Sequence, residues 1–483
     1  MRTEVVNKNN KGISFAKVAA ILYILASLVF LATVWFVGVL PLKYEIALSA
    51  IVVVFGLIIS MLLLRKGRGA MGIFLGIVAV LLAIILAMCS YYLIGTGNFF
   101  DKIANVKDTT DFYVVARADS EIDSEDGLSG KTVTMPVHTD IIYESAANQL
   151  KDLADVEVEV TGESLDLCKE LIDGSRELIF INSAYYDIAT EEIDGFDEEA
   201  VKVIARISLN NEPVEDTKKE AENGKAFNLY ITGIDTSGSI SKVSRSDVNM
   251  IVTVNPETKQ ILLTSIPRDY YVRLAVVGQM DKLTHAGLMG PDATVQTVED
   301  LMGIDINYYL KVNFSTVTNL VDILGGIDVE SEYAFVSRKG HYQFVQGMNH
   351  MNGDMALCFA RERYAFASGD RQRGKNQQAV IKAIIDKITS SPAILLKYND
   401  ILRSLDDNMQ TNMEADKIKE LVKMQLDDMS KWDITTVSLD GSGMSTTTYF
   451  CPNISVYVMV PYQNTIDEAR TQINEILNNT KED

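Results

Sequence analysis

Only four cysteines and four histidines occur among the 483 residues, and none stands at the spacing of a zinc site or an HExxH helix, which argues against zinc hydrolysis. A Gly-x-Ser-x-Gly elbow is also missing, so no serine-nucleophile triad can be read. His138, His285, His341 and His350 are therefore read as structural. Cys89 lies inside an apolar run, and the remaining odd three, Cys168, Cys358 and Cys451, are far apart, which excludes a disulfide framework and leaves buried thiols. Positive charge is scarce, with 44 Lys/Arg against 65 Asp/Glu for a net charge of −21. After residue 98 the ratio is 36 to 63, which excludes a nucleic-acid grip built on phosphate neutralisation. Disorder is excluded by the aromatics and branched aliphatics found throughout.

Apolar residues are concentrated at the front. Residues 1–98 carry eight Lys/Arg and two Asp/Glu and contain three uncharged runs, 18–40, 46–64 and 70–94. Each has about the 20 residues a helix needs to cross a bilayer. Lys8, Lys11 and Lys17 precede the first run and Arg65, Lys66 and Arg68 separate the second from the third, whereas the loop between runs one and two holds only Lys43 and Glu45. The positive-inside rule then predicts a cytoplasmic N-terminus and, after three spans, an extracytoplasmic remainder. The expected organisation is a cytoplasmic segment 1–17, three transmembrane helices within 18–98, a linker and small accessory domain 99–215, and a larger domain 226–483.

Residues 99–130 are polar and acidic and read as a tether with an exposed turn. Between 131 and 209, short β-rich runs alternate with helical patterns, which indicates a small α/β unit. A second linker is expected at 210–224. Beyond it, 228–232, 248–254 and 261–266 read as strands, the last two as an antiparallel hairpin, and helices are expected at 293–301, 316–324, 377–389 and 415–429.

Arginines recur beside turns and aspartates in this otherwise acidic part. Arg245 and Asp247 precede one strand, and Arg268 and Asp269 follow the next. If residues 355–364 are extended, their period of two puts Arg361 and Arg363 on one face. Arg371, Arg373 and Lys375 come just before a predicted helix, whose N-terminus favours anions. Converging guanidinium forks suit a pyrophosphate, and Asp235 with Asp247, near two strand ends, suits a Mg²⁺ bound through one or two carboxylates and phosphate oxygens. The pattern points to phosphoryl transfer. The alternative is a solvated face of ordinary ion pairs.

These residues resemble the LytR-CpsA-Psr family of Gram-positive cell-wall glycopolymer ligases. The resemblance rests on Leu229-Tyr230-Ile231-Thr232-Gly233-Ile234-Asp235, Arg245-Ser246-Asp247, Ser265-Ile266-Pro267-Arg268-Asp269, Val321-Asp322-Ile323-Leu324-Gly325-Gly326-Ile327, Asn352-Gly353-Asp354-Met355-Ala356-Leu357 with Ala360-Arg361-Glu362-Arg363, and Gly369-Asp370 through Arg373 to Gln377. Three spans and an inserted domain resemble the layout of the streptococcal capsule-locus members. The resemblance implies an α/β fold in which an α-β-α sandwich-like domain with a central mixed sheet houses a hydrophobic tunnel for a lipid tail. It implies an enzyme that transfers a glycopolymer, here capsular polysaccharide, from undecaprenyl pyrophosphate to peptidoglycan through a phosphodiester, at the cell membrane of a Gram-positive bacterium.

Carried over position by position, Asp235 and Asp247 correspond to Mg²⁺ ligands. Arg245, Arg268, Arg361, Arg363, Arg373 and Gln377 correspond to the pyrophosphate-binding set. Many members carry Arg where Asn376 stands, so Arg371 or Lys375 is expected to substitute. Asp247 and Asp269 are the candidate bases, and Arg268 the candidate stabiliser of developing charge. Capsule biosynthesis proteins are the further expected partners. Two other readings stay open: a polyprenyl-pyrophosphate hydrolase, and a non-catalytic membrane regulator of capsule synthesis.

Overall fold

The computed structural model describes residues 15–38, 40–66, 70–103, 107–137, 141–211, 219, 221–234, 239–390, 401, 405 and 408–480. Lys8, Lys11, Arg68, His138, Asp235 and residues 212–218 of the expected second linker lie outside the described residues.

The chain forms two compact units. The first holds three helices, α1 (Phe15–Val37), α2 (Leu42–Lys66) and α3 (Ala70–Ile103), together with the helix Ala415–Asp428. All three N-terminal helices are long and apolar enough to cross a membrane. Their mutual contacts use small side chains, Ala16, Ala19, Ala79 and Ala83, around Tyr23, Ile59 and Leu63. Small residues let helices approach where no hydrophobic force drives them together in lipid. Lys43, in the first turn of α2, pairs with Asp427 at 2.9 Å. Both side chains are half exposed, so the pair contributes little energy.

Among the described residues the second unit contains two large sheets and four two-stranded ones. Strands β1 (Thr109–Arg117), β2 (Thr132–Met135), β3 (Glu157–Val160), β4 (Leu178–Asn182) and β5 (Val201–Asn210) lie in the order β3-β2-β4-β1-β5. Helices α4 (Ile141–Leu153), α5 (Ser164–Ile172) and α6 (Ser183–Glu192) connect them. The tether expected at 99–130 is corrected here, because β1 pairs with both β4 and β5. Its uninterrupted run Phe112–Ala116 is covered on both faces, as in a fully buried strand. Phe112 and Val114 pack with Tyr143 of α4, and Tyr113 and Val115 point into the opposite core.

The larger sheet consists of β6 (Phe227–Ile234), β7 (Ser246–Asn255), β8 (Gln260–Ser265), β9 (Tyr308–Val312), β10 (Met409–Thr411) and β11 (Asp433–Ser438), in the order β10-β9-β6-β7-β8-β11. It is mixed: β9 runs parallel to β6 and β11 parallel to β8, while β6, β7 and β8 are antiparallel. Helices α7 (Pro291–Met302), α8 (Phe314–Ile323), α9 (Gly353–Arg361), α10 (Asp370–Ser390) and α11 (Gln463–Asn478) complete this part. Alternation along β7 divides the core. Met250 and Val252 face Ile381 and Ile385 of α10 on one side. Ile251 faces the other, with Val298 and Met302 of α7 and Ala469 and Ile473 of α11. The fold is thus α/β, with helices on both faces of a mixed sheet. The second core continues without a break into Leu171, Ile181 and Ile188 of the small sheet's layer.

The extended reading of 355–364 is also corrected. Asn352 caps a helix by accepting from the Met355 amide, and Ala356 and Phe359, three residues apart, are its buried face. The helix ends at Arg361, so Arg361 and Arg363 do not share a strand face.

The single turn Leu283–Ala286 and the following Gly287 lie against the chain just before β7. A Cβ at Gly287 would stand 2.6 Å from both the Ser244 carbonyl and the Ser246 amide, backbone atoms with no room to yield. Gly287→Ala is expected to lower stability by about 1–3 kcal/mol, as overpacking does, which melting of the full chain in detergent would measure.

Candidate functional site

The candidate site lies where β7 begins and β8 ends, neighbouring termini of one antiparallel hairpin. A buried polar network fixes the start of β7: the Ser246 hydroxyl donates to Asn249 Oδ1 at 2.7 Å, lies 2.6 Å from the Thr232 hydroxyl, and Tyr230 donates to the same Asn249 oxygen. Asp247 thereby projects beside Arg268, whose Nη1 donates to Asp247 Oδ1 at 2.9 Å. Thr284 donates to that oxygen at 3.0 Å. Among the described residues, no hydrogen bond reaches Asp247 Oδ2.

Thr284 is held by the turn that bears it. Asp281, fully buried, lies 2.6 Å from His285 Nδ1 and accepts from the amides of Lys282 at 2.6 Å and Phe450 at 2.7 Å. His285 is therefore structural in this arrangement, with its ring edge-on to Phe450.

The first turns of α10 bring the other cations. A cavity of about 190 Å³ is lined by Asp247, Arg268, Asp370, Arg371, Arg373, Lys375 and Gln377, with Ser265 and Asp440. The helix begins at Asp370, seven residues before the expected 377, so Arg371, Arg373 and Lys375 ride on it rather than precede it. Gln378 pins α10 to the sheet by donating to the carbonyls of Leu263 at 2.9 Å and Val437 at 2.7 Å. Arg373 pairs with Asp370 at 2.6 Å, Lys375 with Glu332 at 3.2 Å, and Arg371 with Asp440 while donating to the Gly441 carbonyl at 2.6 Å.

Of the expected residues, Arg245, Asp269, Arg361 and Arg363 are not among those that line this cavity. Arg361 stacks over Phe314 at 3.9 Å, and Arg363 donates to the Tyr364 hydroxyl at 2.7 Å. Asn376 is buried and donates to the Phe359 carbonyl at 3.1 Å, so that position faces the interior. Arg371 and Lys375 both reach the cavity instead.

One residue that sequence reasoning missed stands at the centre. Glu191, in the last turn of α6, accepts from Arg268 Nη2 at 2.6 Å through Oε1 and from Arg245 Nη1 through Oε2. Its neighbour Glu192 accepts from Lys282 Nζ at 2.5 Å. Two adjacent carboxylates at a helix C-terminus, where the macrodipole disfavours them, were the only sequence signal.

The electrostatics follow from burial and pairing. Burial alone would raise the Asp247 and Glu191 carboxyls, but the guanidiniums of Arg268 and Arg245 outweigh it, holding Asp247 far below the usual range and Glu191 at about 2. Asp269 differs: burial raises it, and Arg268, whose Nε is 3.9 Å from Asp269 Oδ1, only partly opposes that. A depressed carboxylate contributes stability above its unfolded value that is lost as pH falls through its folded one. The full chain should therefore melt at falling temperature as pH drops from the ordinary 4.5 of Glu191 toward about 2. Glu191→Gln should show a shallower slope over that window.

Residues 195–471 match the LytR_cpsA_psr family. The chain is 37% identical over 216 residues to the polyisoprenyl-teichoic acid–peptidoglycan teichoic acid transferase TagU of Enterococcus faecalis, covering 44% of this chain and 70% of that one. It is 35% identical over 196 residues to the protein of the same name from Bacillus cereus, covering 40% and 63%. Among solved structures, B. subtilis TagV has a TM-score of 0.45 at 30% identity, covering 54% of this chain and all of that one. With more than half its length inside the family match, the chain belongs to the LytR_cpsA_psr family.

Proposed function

We propose that the protein is a membrane-anchored phosphotransferase that moves a glycopolymer from a polyprenyl-pyrophosphate carrier to a peptidoglycan hydroxyl through a phosphodiester. The observation that carries this reading is the convergence of Arg268, Arg371, Arg373 and Lys375 with Asp247 on one small cavity within the family match. The activity for which those relatives are named, teichoic acid transfer to peptidoglycan, supports it. Capsular polysaccharide as the polymer and undecaprenyl as the carrier are the finer form of the proposal, resting on the three spans and the inserted domain. The Lys43–Asp427 pair supports the topology, because it puts the start of α2, where the loop from span one ends, on the same side as residues 415–428. That is the side the positive-inside rule makes external.

In the proposed reaction the acceptor hydroxyl oxygen attacks the phosphorus that bears the glycan. The new O–P bond forms as the bond to the bridging oxygen breaks, and the electron pair leaves on the lipid phosphate. The guanidiniums stabilise charge on the transferring and leaving groups. Asp269 is the better proton acceptor of the two candidates, since burial raises its proton affinity whereas Asp247 is held anionic by two arginines. Asp247 instead aligns Arg268. Asp247 Oδ2, which takes no hydrogen bond among the described residues, would be a ligand of a Mg²⁺, and such an ion would neutralise charge on the phosphates. Asp235, the second ligand that the resemblance implies, lies outside the described residues.

The test incubates the full chain in detergent with a lipid-linked pyrophosphoryl glycan, peptidoglycan and Mg²⁺. Wild type should form phosphodiester-linked glycan, and Arg268→Ala should lose about 10²-fold or more of the rate. Arg268→Lys should recover little, because an ammonium cannot replace the fork. Free glycan phosphate as the sole product would indicate the hydrolase, and attachment in cells unaffected by Arg268→Ala would indicate the regulator.

A further inference from the structure

We propose that Glu191 is an intramolecular occupant of the arginine site, a carboxylate that a pyrophosphate-bearing substrate must displace before Arg245 and Arg268 can bind it. The inference rests on the phosphotransferase reading and extends it to how the site is kept closed.

The geometry comes first. One Glu191 carboxylate bridges two guanidiniums, its oxygens shared between Arg245 Nη1 and Arg268 Nη2, as two phosphate oxygens would be. With Asp247 on Nη1, both terminal nitrogens of Arg268 are already engaged by carboxylates. Its Nε is buried and has no hydrogen bond among the described residues. Arg268 is only 6% exposed, so it has no second face to offer an incoming anion. Two guanidiniums, Arg245 and Arg268, face three carboxylates, Glu191, Asp247 and, 3.9 Å from Arg268 Nε, Asp269, and this part of the site has no net positive charge with which to attract a pyrophosphate.

The source of Glu191 is the second observation. It comes from α6, outside residues 195–471, so the occupant is supplied by the inserted segment while the arginines belong to the family match. Helix α6 is fixed in place: Ile188 and Ala189 are fully buried in the shared core and the Tyr185 ring lies 5.6 Å from that of Phe450. The Glu191 side chain keeps 27% of its surface exposed. Release is therefore a rotation of one side chain toward water, without separation of the two sheets. A carboxylate in the last turn of a helix opposes the macrodipole, and here Glu192 adds a like charge beside it. Among the described residues the hydrogen bonds of Glu191 are to these two arginines, with Lys282 adding a weaker attraction, and an anion of higher charge that takes the arginines frees it.

The experiment measures binding of inorganic pyrophosphate, and separately of farnesyl pyrophosphate, to the full chain in detergent by calorimetry. Glu191→Gln, which keeps the side-chain volume, should bind both about tenfold more tightly than wild type, the gain expected if the competent state is populated about one time in ten. Pyrophosphate should also raise its melting temperature by more than it raises that of wild type. Arg268→Ala should lose binding. Equal affinity of wild type and Glu191→Gln, with binding still lost in Arg268→Ala, would overturn the occupant role and leave the anion site standing. Weaker binding by Glu191→Gln would overturn it too, since Glu191 would then align the arginines for substrate. Binding unaffected by Arg268→Ala would sink the anion site itself and the occupant with it.

Discussion

A guanidinium buried as deeply as that of Arg268 cannot be left without counter-charge, because the cost of removing an ion from water exceeds what a single neutral hydrogen bond returns. Much of the surrounding structure satisfies that requirement. Asp247 is delivered by the first residues of β7, and the Ser246–Asn249–Tyr230 network keeps those residues from fraying. Thr284 shares the Asp247 oxygen and is itself set by the buried Asp281–His285 pair. The close approach of Gly287 to the Ser244 carbonyl keeps this turn against the strand. The remaining carboxylate comes from α6, nearly eighty residues away in sequence.

That last contact gives the inserted sheet a physical reason to be rigidly joined to the larger one. The two share a continuous apolar core, from Ile181 and Ile188 through Tyr230 and Ile251 to Ile473. Such a joint fixes the end of α6 to within a hydrogen-bond length of Arg268. A flexible tether between domains could not do this, and β1, buried between β4 and β5, is what replaces it. On the opposite face α10 is equally fixed, since Gln378 bonds to two adjacent strands and so sets where Arg373 and Gln377 enter the cavity.

What could be read from the chain depended on whether the signal was local. The three spans announce themselves by length and lack of charge, and the β7–β8 hairpin by two apolar runs around the turn at Asn255–Gln260. The sequence Phe112–Ala116 carried an equally local strand signal, but the acidic residues around it suggested a tether. At 355–364 two arginines spaced by two favoured a strand, while Asn352 as a cap and the buried Ala356 and Phe359 obeyed a helical period. Packing decided for the helix, and Arg361 and Arg363 went to aromatic neighbours rather than to the cavity.

The sequence by itself determined the division into an apolar, positively charged front and an acidic remainder, the helix and strand periods, and the arginine-aspartate motifs flanking β7 and β8, because each depends on neighbours along the chain. Only the tertiary structure decided which arginines converge, which aspartate is held anionic and which is driven toward protonation. These depend on distances of 3–4 Å between residues remote in sequence, and on burial that no linear pattern displays. The role of Glu191 belongs wholly to that second class: its significance comes from the two guanidiniums it meets, and nothing within its own helix names them.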